Sequence, residues 1–401
     1  MKQLIITIAA LLLLPLAVMA QYEEDTENGV VSLNGKEGFT IATKKGDFVF
    51  KPYMLVQTSA NINYYDDEGL DPAYNQDNIH NSGFSIPYAI LGFTGKAFDR
   101  VTFNLSINAA GNGGNILQQA WFDVEIKKSF AIRVGKFKTP FSHAYLTTLG
   151  ETLMPTSLTS SVILPYSLNA VTPNIGMGFD LGVEVHGLVK DKFGYEVGIF
   201  NGTGSSVNVA SKTFSDDWHI PSLLYAGRIT YMPKGVMPSN QGSPNRLKED
   251  KMLFGLSTSL NVESESESTN DFRAGAEFAM LKNRLYLGAE IYYMNVGFTK
   301  RQKIDESYNY LGGYVQGGYF VTNKLQATAR YDFFNRNGLD TNGFLNMPAV
   351  GFNYFFTSCN LKLQAMYQFI GRTGHDTQLD RDNDDLGLAM HSGTVLLQYT
   401  F

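Results

Sequence analysis

The chain has one cysteine, Cys359, so no internal disulfide can hold it together and the fold must rest on hydrogen bonding and packing. Charged residues are scarce at 17%, and their balance is mildly acidic, with a net charge of −6, which argues against a nucleic-acid binder. No polar, Pro-rich or Ser-rich linker divides the 401 residues, so a single unit is expected to use the whole length. Long apolar runs are absent outside the first twenty residues. There Lys2, the run from Leu4 to Leu16 and the triplet Val18-Met19-Ala20 match the three regions of a secretory signal, with cleavage expected before Gln21. That run falls short of the roughly 20 apolar residues a membrane helix needs. Beyond it, every hydrophobic stretch is broken by Ser, Asn, Gln, Lys, Asp or Glu. The mature chain is therefore expected to leave the cytoplasm with neither a helical anchor nor, lacking a cysteine at the cleavage point, a lipid there.

What is abundant is glycine (39), phenylalanine (28) and tyrosine (22), the mixture of a β-barrel whose strands face lipid between aromatic girdles. The order of residues points the same way. A strand between lipid and water must alternate apolar and polar side chains with a period of two. From Leu361 to Phe369 the odd positions are apolar and the even ones, Met366 excepted, are polar. Leu285 to Tyr293, Leu325 to Phe333, Phe272 to Phe278 and Val101 to Asn108 repeat the register. A soluble β-sandwich also alternates, but it would bury Arg273, Glu277, Glu290, Arg330, Asp332 and Lys362, at several kcal/mol for each unpaired charge. A water-filled lumen removes that cost.

Sixteen such segments can be counted, the first near 47–63 and the last near 389–401. Short connectors (96–100, 127–129, 190–192, 282–284, 322–324 and 357–360) alternate with longer Asp-, Asn- and Gly-rich ones. In a barrel the short set is expected to face the periplasm. Pro233 to Asp250 breaks that rule and reads as an extended loop. The expected organisation is a signal peptide at 1–20, a periplasmic extension at 21–46 and an all-β transmembrane antiparallel barrel at 47–401 in the bacterial outer membrane. The final alternating segment, ending at Phe401, resembles the signal that the barrel-assembly machinery recognises.

The segment Arg133-Val134-Gly135-Lys136-Phe137-Lys138-Thr139-Pro140-Phe141 resembles the R-x-G-K-F-K-x-P-F stretch of the phosphate-selective porin O and P family. Lys44 to Phe50 and Tyr195 to Gly202 agree with it. The resemblance implies a sixteen-stranded outer-membrane channel, a homotrimer, and a long third external loop, about Lys138 to Ile175, folded into the lumen. The apolar Leu149, Leu153, Met154 and Leu158 in that loop suit burial against a wall. Where phosphate-binding members carry an arginine-rich lumen, this chain reads Leu158-Thr159-Ser160-Ser161-Val162-Ile163, without arginine, and Phe50-Lys51-Pro52-Tyr53 replaces the family's Gly-Arg pair. The expected function is accordingly passive diffusion of small polar or anionic solutes, phosphate among them. A substrate-specific channel for an organic anion or oligosaccharide and a non-conducting receptor or adhesin barrel are the alternatives.

Inward cations are expected at Lys51, Arg133, Arg228, Arg273, Arg330 and Lys362, and inward acids at Glu184, Glu196, Glu277, Glu290 and Asp332. A ring of one sign selects ions, whereas a mixed ring orients polar solutes. Each cation could instead brace an acid on the next strand. Lys136 and Lys138, where the fifth strand runs into the long loop, are the strongest candidates for solute contact. None of the six histidines falls in a hydrolase or zinc motif, and the acidic run Asp376 to Asp385 lacks the calcium-loop order, so neither catalysis nor a cofactor is expected.

Overall fold

The computed structural model describes residues 29–34, 38–43, 47–66, 80–98, 100–111, 116–155, 178–202, 223–246, 248–261, 271–297, 307–335, 344–373 and 389–401. The signal expected at 1–20, the later part of the third long loop and the Asp376–Asp385 run lie outside these residues. A hairpin of β1 (Gly29–Asn34) and β2 (Gly38–Thr43) precedes sixteen long strands. These are β3 (Phe48–Asp66), β4 (His80–Ala97), β5 (Val101–Asn108), β6 (Leu117–Lys127), β7 (Phe130–Lys138), β8 (Phe179–Val189), β9 (Phe193–Phe200) and β10 (Leu224–Tyr231). They continue as β11 (Asp250–Asn261), β12 (Asp271–Lys282), β13 (Leu285–Gly297), β14 (Ser307–Phe320), β15 (Leu325–Asn335), β16 (Phe344–Thr357), β17 (Leu361–Thr373) and β18 (Ala389–Thr400).

Each of β3 to β18 pairs antiparallel with its neighbours in sequence, and β18 returns to β3 from Ala389 opposite Asp66 to Thr400 opposite Leu55. Phe401 adds a last rung, exchanging two backbone hydrogen bonds of 3.2 Å with Met54. The sheet is a closed barrel of sixteen strands, as the alternation predicts, and closure satisfies backbone groups that hydrocarbon could not. Its surface is the inverse of a soluble protein's. On β15, Ala327, Ala329 and Tyr331 are exposed while Gln326, Thr328, Arg330 and Asp332 are buried. Val350 and Leu256, each 58% exposed, belong to the same outward set. Apolar side chains outside and polar ones inside are stable only where the outer solvent is lipid.

The short turns cluster at one end. Asn283, at φ 52°, takes the left-handed conformation that a two-residue hairpin turn demands and asparagine tolerates. Two segments carry structure that the residue order does not spell out. Part of the 21–46 extension forms the β1–β2 hairpin, whose β2 pairs with β3 through Ile41 opposite Phe50 and Ala42 opposite Val49. Because β18 reaches β3 only as far as Leu55, the start of β3 would otherwise present an open edge, which β2 covers. The connector between β10 and β11 is not an extended loop either. It makes a 3-10 turn at Pro244–Arg246 and buries Met237, Asn240, Gln241 and Ser243.

The barrel interior holds two apolar clusters. One gathers Phe137, Phe141, Phe200, Tyr292, Tyr310 and Phe334, with others, towards the long-loop end. The second joins Leu153 and Met154 to Met232, Met237, Leu281 and Tyr286 towards the short-turn end. Between them lies a buried charged layer that includes Arg228, Glu277, Glu290 and Arg330.

Candidate permeation site

The motif around Gly135 explains how the third long connector leaves the wall. Gly135 sits at φ 130°, and a Cβ there would stand 2.1 Å from the Ala120 carbonyl oxygen, so only glycine permits this approach of β7 to β6. Past Lys138 the chain makes a single helical turn, α1 (His143–Leu146), capped by Ser142 Oγ accepting from Tyr145 N, and then a 3-10 turn at Leu149–Glu151.

Side chains on the buried face of the barrel hold this stretch. Glu290 accepts from Ala144 N at 2.7 Å, from Tyr292 Oη at 2.8 Å and from Tyr314 Oη at 2.6 Å. Gln398 Nε2 donates to Gly150 O, Lys362 Nζ and Gln364 Nε2 donate to Thr152 O, and Asn353 Nδ2 donates to Leu153 O. Residues 139–155 are thus hydrogen-bonded to side chains of β13, β16, β17 and β18.

On the other side a cavity of about 410 Å³ stays open. Its wall is Tyr53 of β3, Asn104 and Ser106 of β5, Gln118 and Trp121 of β6 and Arg133 of β7. Leu146, Thr148 and Gly150 of the inserted stretch face it. Tyr53 Oη donates to Asn104 Oδ1 at 3.2 Å. Arg133 makes an ion pair with Asp123 at 2.7 Å and another with Glu184 at 3.4 Å, and its guanidinium lies 4.9 Å from the Trp121 ring centroid. His186 Nε2 lies 2.8 Å from the same Asp123 carboxylate. The arrangement is a cross-strand set of opposite charges on β6, β7 and β8 beside amides and aromatic rings.

The expected site residues divide between these two regions. Arg133 and Lys138 line the cavity, and Lys51 is a half-buried residue of β3 opposite Thr94. The Lys138 ammonium is engaged with the Tyr145 carbonyl at 2.6 Å and the Thr147 carbonyl at 3.0 Å, which fastens the start of the inserted stretch. Lys136 is buried in the wall with the Asp180 carboxylate near it. Arg228 braces its neighbours, pairing with Glu277 at 2.7 Å and Glu196 at 3.0 Å. Arg273, Arg330 and Asp332 are buried in the packed region, and Lys362 and Glu290 hold the inserted backbone.

Sequence reasoning missed the amides Gln364, Asn353 and Gln398, the tyrosines around Glu290, and the aromatic lining at Tyr53 and Trp121. A signal existed. Met366, Leu281, Met294 and Phe334 interrupt the polar side of the alternation, and all are buried against the inserted segments or the inner clusters.

His143, on α1, is buried, and that burial pushes its pKa down to about 4; the nearby Arg228 guanidinium pushes the same way and Glu277 opposes.

A closed antiparallel barrel of sixteen strands with an apolar outer face and a polar interior is the architecture of the outer-membrane porins. Residues 56–401 match the family model described as phosphate-selective porin O and P. The chain belongs to that family, whose members reside in the bacterial outer membrane. Among solved structures it is similar in fold to the anion-selective porin from Comamonas acidovorans, with 12% identity and a TM-score of 0.59 over 88% of this chain and 100% of that one. The outer membrane channel DcaP of Acinetobacter baumannii is similar at 12% identity and a TM-score of 0.55, over 89% and 99% of the two chains. An uncharacterized protein of Aquifex aeolicus (strain VF5) is 24% identical over 278 residues, 65% of this chain and 64% of that protein, so the match spans just under two thirds of that relative's length. Family and fold point to a channel rather than an enzyme.

Proposed function

We propose that the chain passes small polar solutes, anions among them, by passive diffusion, and that the path runs along the side of the barrel lined by β3 to β8. Residues 139–155 are read as the constriction, folded across the lumen from the long-loop end. The observation that carries this is the cavity bounded by Tyr53, Asn104, Trp121 and Arg133 on the wall and by Leu146 to Gly150 on the inserted stretch. Strong phosphate selectivity is disfavoured, because Arg133 is already neutralised by Asp123 and Glu184 and the Lys138 ammonium by backbone carbonyls. The rings of Tyr53 and Trp121 beside Gln118 favour, as a second reading, a specific channel for an organic anion or oligosaccharide.

The short-turn end is assigned to the periplasm and the long-loop end to the exterior. Outer-membrane lipid covers the outward residues, and the strand ending at Phe401 engages the assembly machinery. A homotrimer is the proposed state, supported by a recess of about 820 Å³ on the outward face between β3, β4 and β18 that includes Ala60, Phe84, Ile86 and Leu397. Catalysis forms no part of the proposal.

Planar-bilayer recording on purified protein tests it. Discrete channels with a weak anion preference and no block by phosphate are expected. A strongly anion-selective reversal potential with phosphate block would replace this reading by a phosphate channel, and a silent bilayer would leave the receptor or adhesin barrel.

A further inference from the structure

The turns at the short-turn end are brief, as at Lys128-Ser129 and Asn283-Arg284, with one exception: residues 232–249 between β10 and β11. This connector turns back against the inner wall. Gly242 adopts φ 97°, and a Cβ there would come within 2.8 Å of Gln326 Nε2 and 3.2 Å of Tyr286 Cβ, so the backbone lies directly on β13 and β15. Ser243 Oγ is 3.3 Å from Cys359 Sγ in the β16–β17 turn, and Met232 and Met237 join the apolar cluster that contains Leu153 and Met154.

The connector then meets residues 147–153, which come from the opposite end of the barrel. Thr148 N donates to Ser239 O at 3.2 Å, Gln241 N donates to Glu151 O at 3.1 Å, and Leu153 N donates to Gln241 Oε1 at 3.0 Å. Wall side chains donate to the carbonyls of Gly150, Thr152 and Leu153, while the connector accepts from the N–H groups of Thr148 and Leu153 and donates to the Glu151 carbonyl. Leu153 is 1% exposed and Gln241 4%, so an amide lost at 241 would leave that N–H with no water to replace it.

We infer that residues 232–246 are a latch that enters from the short-turn end and fixes the constriction, with Gln241 as its positioning residue. The inference rests on reading 139–155 as the constriction. It assigns the pore two inserted elements, one from each end, holding each other in place.

Three variants test it in bilayers and in detergent. Gln241→Ala removes the acceptor, and we expect single-channel conductance to rise about twofold, with added current noise, as the constriction loosens and the open section widens. Gln241→Glu keeps an acceptor for Leu153 N–H and is expected to stay closer to wild type. A purely structural role would lower the temperature of heat-induced gel-mobility change and leave conductance alone. Unchanged conductance and noise in Gln241→Ala, in a preparation whose wild type conducts, overturn the latch by itself. A wild type without current overturns the channel reading and the latch with it. In Ser243→Cys the new thiol faces Cys359. Added diamide, itself reduced by two electrons and two protons, should join the two sulfurs in the folded barrel, removing both free thiols. Thiols that persist there show an undocked connector and overturn the inference without any current measurement.

Discussion

On β5 the inward Asn104 and Ser106 border a cavity, whereas on β17 the inward Lys362 and Gln364 donate to the carbonyl of Thr152. Both strands alternate in the same way and both present polar residues to the interior, yet one row borders a cavity and the other is hydrogen-bonded to the backbone of residues 139–155. The lesson is that an inward polar residue of a barrel is not by that fact a pore residue. Arg133 and Arg228 make the contrast sharp: each pairs with two carboxylates, but the Arg133 side chain is 26% exposed beside the cavity and that of Arg228 is 9% exposed in the packed half. A charge pair in the packed half resembles a buried ion pair of a soluble core. Beside the cavity, on the proposed path, it would be part of the field a solute meets.

The strongest way to break this comparison is to delete both arginines in turn. Arg228→Ala leaves Glu277 and Glu196 without their cation, and a loss of about 3–5 kcal/mol is expected, read as a large fall in the temperature at which the folded band disappears on gels. Arg133→Ala strips the buried Asp123 and Glu184 but leaves His186 beside Asp123, so a smaller fall is expected; equal falls would erase the distinction between the halves. Next in size is the outward face. Val350→Arg, near the middle of β16, should cost about 2–4 kcal/mol in lipid, whereas Asn104→Arg on the cavity side should cost less than about 1 kcal/mol, measured by urea titration in liposomes. A tolerated arginine at 350 would contradict lipid contact there.

A smaller effect follows from His143. Its folded pKa of about 4 is below the ordinary 6.5, so between those values the unfolded chain binds more protons and stability falls as the pH drops. By pH 5 the deficit should be on the order of 2 kcal/mol, and it should vanish in His143→Phe when both are melted at pH 7.5 and pH 5. Parallel pH slopes for the two proteins would remove His143 from the account. The smallest energetic effect carries the clearest functional sign: Arg133→Ala frees Asp123 and Glu184 beside the cavity, so the cation-to-anion permeability ratio should rise a few-fold at low salt and less at high salt.

Much of this architecture was legible in the residue order. Sixteen segments were countable, and the first, expected at 47–63, is found at Phe48–Asp66, while the eighth, expected at 222–232, is Leu224–Tyr231. The alternation at 325–333 correctly separated outward Ala327 and Tyr331 from inward Arg330 and Asp332. The β1–β2 hairpin was illegible because its alternation, Phe39 to Ala42, is short and its partner edge exists only once β18 has stopped at Leu55. The fate of Lys138 and Lys362 was hidden for a different reason: their acceptors are the backbone carbonyls of Tyr145, Thr147 and Thr152, and a carbonyl leaves no trace in side-chain identity.

Residue order alone is enough to give which side of each barrel strand faces outward, how many strands close the barrel and how the turns divide into short and long. These are local consequences of a two-residue period and of turn chemistry, so neighbouring residues carry them. Only the tertiary structure decided which stretch of inner wall is covered and which is open. That depends on where residues 139–155 and 232–246 land, through contacts such as Gln241 with Leu153 and Asn353 with Leu153, made between groups many strands apart.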